Sequence, residues 1–200
     1  MTKNVLLCGV GGQGTVLASR LIALAAMEKG MDARGAETIG MAQRGGSVVS
    51  HVRIGQDISS PLIPHKGADV LIGFEPAEAV RCLPYLRKGG CAVVCPSPIR
   101  PVTASLSGGG YTGLEMMDYL KRTVENLVVV DGNAICAACG SVKVLNVALL
   151  GAAVASGRTG LTLEEMEQAI RVRVPEKFKE MNLKALTMGA EAYRRSVAAD

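Results

Sequence analysis

The sequence predicts a three-layer α/β/α domain on a mainly parallel sheet, Rossmann-like at its start. Three observations carry this expectation. Short apolar runs without alternation, at residues 5–8, 68–74 and 127–130, have the character of strands buried on both faces. Segments of helical character separate them. The first run passes through a glycine turn straight into a helix. Hydrophobic residues make up 48% of the 200, enough for one sizeable core. No linker, internal repeat or low-complexity stretch divides the chain, so residues 1–200 read as a single domain.

The elements follow in order. Residues 3–8 form the first strand and residues 9–14 the turn. A helix runs over 15–29, with Gly30 placed for a left-handed C-terminal cap. It is apolar nearly all round, with Arg20 its only charge before Glu28, so it packs on more than one side. A second strand is expected at 31–35, a loop of small and polar residues at 37–46, and a strand at 47–54. Residues 68–74 form a buried strand. Pro76 opens a helix to 86, and 91–95 is a strand. Residues 96–110, punctuated by Pro and Gly, read as irregular or as an edge strand. A helix at 114–126 precedes a buried strand at 127–130. An apolar helix at 141–156 ends at Gly157. Thr162 caps the next helix, with Glu165 completing a capping box. Pro175 and Asn182 start two final helical pieces.

Composition narrows the function. Aromatic residues are 3% and Trp is absent, which argues against a single-strand nucleic-acid binder built on stacking. The net charge of +4 is spread among interspersed signs and fits an anionic ligand better than a nucleic acid. The longest apolar stretch, 144–155, is broken by Asn146 and Gly151 and falls short of the roughly 20 residues of a membrane span. The opening residues MTKNVLLCGVGGQG lack the pattern of a secretory signal. Six cysteines then read as reduced thiols, and the expected location is the cytoplasm.

The strongest local signal is Gly9-Val10-Gly11-Gly12-Gln13-Gly14. Gly9, Gly11 and Gly14 satisfy G-x-G-x-x-G between a strand and a helix. Glycines let the backbone turn sharply and let a pyrophosphate approach without striking a Cβ. The free N–H groups and roughly half a positive charge at the helix start favour the anion. The alternative is a tight strand-to-helix turn with no ligand. A dinucleotide site wants an acid about 20 residues on to hold a ribose. Asp32 sits too early and Glu37 at or beyond the strand's end, so that test is ambiguous.

A second signal is Met41-Ala42-Gln43-Arg44-Gly45-Gly46-Ser47. If the second strand runs parallel to the first, this loop emerges at the same sheet edge as the glycine turn. Arg44 then forks onto a phosphate or a partner's carboxylate, or else it is a solvated Arg in a hairpin turn. Asn146, inside an apolar helix, must find hydrogen-bond partners. It either ties down a loop or faces a ligand. Cys136-x-x-Cys139 is a single pair without a second pair or nearby His, so no metal site is expected. Cys91 and Cys95 share a strand face with Val93 and read as core. His51 reads as structural and His65 as exposed. No catalytic residue is assigned, because no acid, base or nucleophile constellation stands out.

Taken together, GVGGQGTVLASRLIALAAMEKG, ETIGMAQRGGSVVSHVRIG, FEPAEAVRCLPYLRKGG and NVALLGAAVASG resemble the gamma-type subunit or domain of 2-oxoacid:ferredoxin oxidoreductases. The indolepyruvate oxidoreductase beta-subunit branch is the most similar. The resemblance runs from about Val5 to Ala192, and four blocks in this order are far more specific than the glycine turn alone. It implies the fold of domain III of pyruvate:ferredoxin oxidoreductase. It also implies a subunit of an enzyme that decarboxylates a 2-oxoacid on thiamine diphosphate, passes electrons through iron–sulfur clusters to ferredoxin, and releases an acyl-CoA.

The resemblance puts the thiamine diphosphate and the clusters in partner subunits, so this chain alone is expected to be inactive and to work in a hetero-oligomer. It implies coenzyme A at Gly9, Gly11, Gly12, Gln13, Gly14 and Thr15, with contributions from Arg44 and Asn146. Arg44 stands where some relatives carry Lys, which keeps the charge and changes the geometry. The residues by themselves leave three readings open: this subunit, a stand-alone NAD(P)-binding oxidoreductase, or a nucleotide-sensing module. Neither nucleic acid nor membrane is an expected partner.

Overall fold

A computed structural model describes residues 2–39, 45–100 and 110–198. Six strands form one sheet: β1 (Lys3–Val10), β2 (Asp32–Ile39), β3 (Ser47–Gly55), β4 (Ala68–Gly73), β5 (Leu86–Val94) and β6 (Asn126–Val129). Their spatial order is β2-β3-β1-β4-β5-β6. β1, β4, β5 and β6 pair in parallel. β3 runs antiparallel between β2 and β1. β2 therefore points the same way as β1 but does not touch it. In a Rossmann unit the strand after the first helix would be in the same sheet and parallel to the first with the crossover between them. Here β3 holds the place beside β1.

Among the described residues, seven helices cover the sheet: α1 (Thr15–Glu28), α2 (Pro76–Cys82), α3 (Leu114–Thr123), α4 (Gly132–Cys139), α5 (Leu145–Ala155), α6 (Leu163–Arg173) and α7 (Glu176–Ala198). The two-residue period of a strand sorts them into layers. Val5 and Leu7 of β1, with Ile72 and Val93, face a large core closed by α1 and α4 to α7. Leu6 and Cys8, with Leu71 and Val94, face a smaller core closed by α2 and α3. Both faces of the central strands are thus dry, which is why their apolar runs do not alternate.

In the larger layer α5 and α7 cross closely at two glycines. A Cβ on Gly151 would overlap the Leu186 carbonyl, and one on Gly189 would overlap the Ala148 carbonyl. Cys91, Val93 and Cys95 share one buried face as expected. Burial pushes the Cys91 thiol up to about 11, so it stays protonated at neutral pH.

Several boundaries differ from the sequence expectation. β2 continues to Ile39, through residues expected to form a loop. It is an edge strand and largely exposed, so polar Glu37 and Thr38 cost it little. β5 begins at Leu86 rather than 91, crossing Gly89 and Gly90 where its register against β4 shifts. The helix opened by Pro76 becomes a 3-10 turn at Leu83–Tyr85. Another 3-10 turn, Val142–Val144, precedes α5. α4 was not anticipated as a helix of its own. The last two helical pieces are one helix: Asn182 does not start a new one but donates to the Phe178 carbonyl four residues back.

Candidate functional site

The C-terminal ends of β1 and β4 and the start of β3 meet at one edge of the sheet, where open α/β sheets place their ligands. β1 ends in the glycine turn. Gly14 adopts a left-handed backbone (φ 81°) as the N-cap of α1, and no side chain caps that helix. The neighbouring α2, by contrast, starts on its own carboxylate: Glu75 accepts from the Glu78 N–H at 3.1 Å. The first-turn N–H groups of α1 lie beyond the reach of any intrahelical acceptor. They make the start of α1 a place at this edge where backbone donors could meet an external anion.

The turn is braced by its own side chains. Gln13 Oε1 accepts from the Val10 N–H and Gln13 Nε2 donates to the Phe74 carbonyl, both at 2.8 Å. Gln13 thereby staples the turn to the end of β4. A Cβ on Gly9 would lie 2.8 Å from the Phe74 Cβ and 2.6 Å from Gln13 Oε1, so Gly9 is required for packing. Thr15 is buried beneath the same contact. Gly12 alone of these glycines is exposed with its φ at 102° and nothing within 4 Å of an added Cβ. It is where the backbone meets open space.

Asn146, 2% exposed, reaches this turn from the first turn of α5. Its Nδ2 donates to the Gly14 carbonyl at 3.3 Å. Of its two expected roles, the structure displays the tethering one. The second glycine pair also arrives here. Gly11 N–H donates to the Gly46 carbonyl at 2.9 Å, and Gly45 N–H approaches the Gly11 carbonyl at 3.5 Å. Gly45 and Gly46, which lead into β3, therefore lie beside the glycine turn. Arg44 itself lies outside the described residues. Glu37, weighed as a ribose ligand, accepts from the Ser19 hydroxyl of α1 at 3.2 Å. It belongs to β2, which β3 separates from the glycine turn's strand.

Glu75, Tyr111 and Glu78 at this edge escaped sequence reasoning. Glu75 is buried and its Oε1 accepts from the Tyr111 hydroxyl at 2.5 Å and the Ile99 N–H at 3.4 Å. Tyr111 in turn accepts from the Ala77 N–H at 3.2 Å. Burial first, then the bond to Glu75, pushes the Tyr111 phenol well above its ordinary value, so it stays a donor. Glu78, also buried, accepts from the Ser47 hydroxyl at 2.6 Å and pairs with Arg81 at 3.3 Å. Glu75-Pro76 signals a capped helix start, so Glu75 was within reach of sequence reasoning. Tyr111 carried no comparable signal.

Residues 4–192 match the family described as pyruvate ferredoxin/flavodoxin oxidoreductase. The chain belongs to this family. It is 40% identical over 190 residues to the indolepyruvate oxidoreductase subunit IorB of Archaeoglobus fulgidus, covering 94% of each chain. Among solved structures of the family, the keto/oxoacid ferredoxin oxidoreductase gamma subunit of Geobacter sulfurreducens superposes with a TM-score of 0.69 at 28% identity, over 98% of both chains. A 2-oxoglutarate:ferredoxin oxidoreductase of Magnetococcus marinus, solved with 2-oxoglutarate, coenzyme A and succinyl-CoA bound, shares the fold. Its TM-score is 0.70 at 17% identity, over 97% of this chain and 31% of that one. The chain is thus a subunit of an oxidoreductase complex of the 2-oxoacid:ferredoxin type. No described helix is long and apolar enough to cross a membrane.

Proposed function

We propose that this chain is the small subunit of an arylpyruvate:ferredoxin oxidoreductase of the indolepyruvate type, and that its glycine turn holds the pyrophosphate of coenzyme A. The observation that carries the ligand reading is the start of α1. It is left without a side-chain cap, it opens at Gly12 into free space, and a second glycine pair flanks it. Similarity to the IorB subunit over nearly the whole chain supports the substrate class.

In this reading the backbone N–H groups of Gly12 and of the first turn of α1 bind the pyrophosphate oxygens. Gln13 and Asn146 hold the turn rigid, so those donors need no reorganisation on binding. Arg44 adds a charged fork. Thiamine diphosphate and iron–sulfur clusters belong to partner subunits. The described residues of this chain offer no cluster of three or more His, Cys, Asp or Glu placed to hold a metal, so they do not fit an iron–sulfur centre. What this chain contributes is binding and orientation of the acyl acceptor, in a cytoplasmic hetero-oligomer.

The test is affinity purification of the tagged chain from its own host. The expected companion is a thiamine-diphosphate and iron–sulfur polypeptide, and the purified complex reduces ferredoxin with an arylpyruvate only when coenzyme A is present. A chain that emerges alone, or that turns over arylpyruvate by itself, contradicts the proposal. Binding of NADH with indifference to coenzyme A points to a dinucleotide enzyme instead.

A further inference from the structure

Glu78 of α2 is only 5% exposed, and a buried carboxylate is costly unless its oxygens are satisfied. It sits three residues after the N-cap of α2, where a Glu commonly reaches back to the N-cap backbone. That helix is already capped by Glu75, and Glu78 turns to another element instead. Its Oε2 accepts from the Ser47 hydroxyl at 2.6 Å, 31 residues away, while Arg81 meets Oε1 at 3.3 Å and balances the charge. The Ser47 bond is of the short, charge-assisted kind. Ser47 is the first residue of β3 and stands opposite Val10, the last residue of β1. The residue before it, Gly46, accepts from the Gly11 N–H at 2.9 Å. A chain of contacts thus runs from the Glu78 carboxylate through Ser47 and Gly46 to the middle of the glycine turn. Gln13 ties that turn to Phe74, and Asn146 ties Gly14 to α5. Gly11 has no side chain, and Gly46 is what holds its N–H.

We infer that Glu78 and Ser47 are positioning residues for the acyl acceptor. They set the glycine pair before β3 against Gly11, so that the N–H groups of Gly12 and of the first turn of α1 stay aligned for the pyrophosphate. This role rests on the coenzyme A reading above and adds which side chains keep the site in shape. Both residues act through the backbone and not on the ligand, so their effect falls on affinity and not on the chemical step. The hydrogen bond is the operative contact, and the negative charge is not. A bare carboxylate beside a pyrophosphate would repel it. Engaging one oxygen with Ser47 and the other with Arg81 offsets that conflict. A glutamine, which keeps an acceptor for Ser47, therefore serves where an alanine does not. Gln13 and Asn146 do not substitute, because they hold the turn at Val10, Gln13 and Gly14 and leave Gly11 to β3.

Steady-state kinetics of the assembled complex, with amide hydrogen exchange on the same preparations, tests it. Ser47→Ala removes one hydroxyl, and Glu78→Ala removes its acceptor. Both should raise the KM for coenzyme A by about three- to tenfold, with the KM for the 2-oxoacid and kcat at saturating coenzyme A unchanged. Glu78→Gln and Ser47→Thr should keep the KM for coenzyme A within about twofold of the parent. Exchange in the peptide that carries Gly11 should be about threefold or more faster in both alanine variants. Ser47→Ala decides the question if Glu78→Ala does not assemble. Three results overturn the inference: unchanged exchange at Gly11, an unchanged KM for coenzyme A in Ser47→Ala, or an equal rise in Glu78→Gln and Glu78→Ala. The double variant Gly12→Ala with Arg44→Ala tells two failures apart. If it raises the KM for coenzyme A and Ser47→Ala does not, the positioning role falls and the coenzyme A site stands. If neither moves it, the coenzyme A reading falls and the positioning role falls with it.

Discussion

Asn146 holds Gly14 in place: its Nδ2 donates to the Gly14 carbonyl across 132 residues of sequence. A Cβ on Gly14 would lie 2.7 Å from that nitrogen, on a backbone with φ of 81°. The contact ties the start of the Leu145–Ala155 helix to the start of α1. Asn146→Ala should therefore cost about 1–2 kcal/mol of stability, the range for a lost buried hydrogen bond whose carbonyl keeps another donor. Ala18 N–H supplies that other donor. Gly14→Ala should cost more, because steric overlap and a left-handed backbone act together. Urea unfolding of the two variants measures both. Equal stability of Asn146→Ala and the parent chain would remove the tether from the account.

The Glu75–Tyr111 pair predicts a second stability effect. Tyr111→Phe leaves a buried carboxylate without its shortest bond, at a cost of about 1–3 kcal/mol. Glu75→Gln keeps the shape and should cost less than Glu75→Ala, which also uncaps α2. Thermal unfolding of the three variants ranks them. The reverse order between the two Glu75 variants would mean that the carboxylate is not the organising group.

This network marks where the sequence stops being readable. β1, the glycine turn and α1 were legible because their signals are local: an apolar run, then glycines, then a small-residue helix. The placement of β3 between β2 and β1 was not, because strand order is decided by pairings distant along the chain. Residues 37–39 looked like loop because Glu37 and Thr38 are polar, and only their edge position makes a polar strand tolerable. Asn146 kept two roles open, since burial of an amide says that it has partners and not which ones. Asn182 looked like a helix start. Its amide instead donates to the previous turn of the same helix.

His51 predicts a pH effect. It is buried on β3, its Nδ1 accepts from the Ile63 N–H at 3.1 Å, and its ring meets Tyr85 edge-on at 5.5 Å. Burial lowers its proton affinity below the ordinary value of 6.5. In the unfolded chain it takes up a proton near that value, while in the folded chain it resists. Stability is therefore complete above that pH and declines as pH falls through it toward the lowered folded value. The urea midpoint should drop between pH 8 and pH 5.5, and His51→Gln should flatten that drop. An identical slope in the variant would assign it to other groups.

The α5–α7 crossing predicts the largest packing penalties. Gly151→Ala and Gly189→Ala each push a methyl into the opposite helix's backbone, which cannot give way as a side chain can. Each should cost about 2–4 kcal/mol, at the upper end of the overpacking range. Gly157→Ala, with open space around its Cβ and only a left-handed backbone to oppose it, should cost about 1–2 kcal/mol. Circular dichroism melting curves compare the three. A Gly157 variant as unstable as the other two would show that helix contact is not what these glycines serve.

The most direct measurement is the apparent affinity of the assembled complex for coenzyme A when Gly12 carries a methyl group and Arg44 loses its charge. A Cβ on Gly12 would meet no neighbour, but its φ of 102° is one that L side chains rarely adopt, so Gly12→Ala strains the bare amide edge itself without displacing the surrounding packing. The account predicts that Gly12→Ala with Arg44→Ala raises the KM for coenzyme A by about tenfold or more and leaves the KM for the 2-oxoacid unchanged. An unaltered KM for coenzyme A in a correctly assembled complex would contradict it.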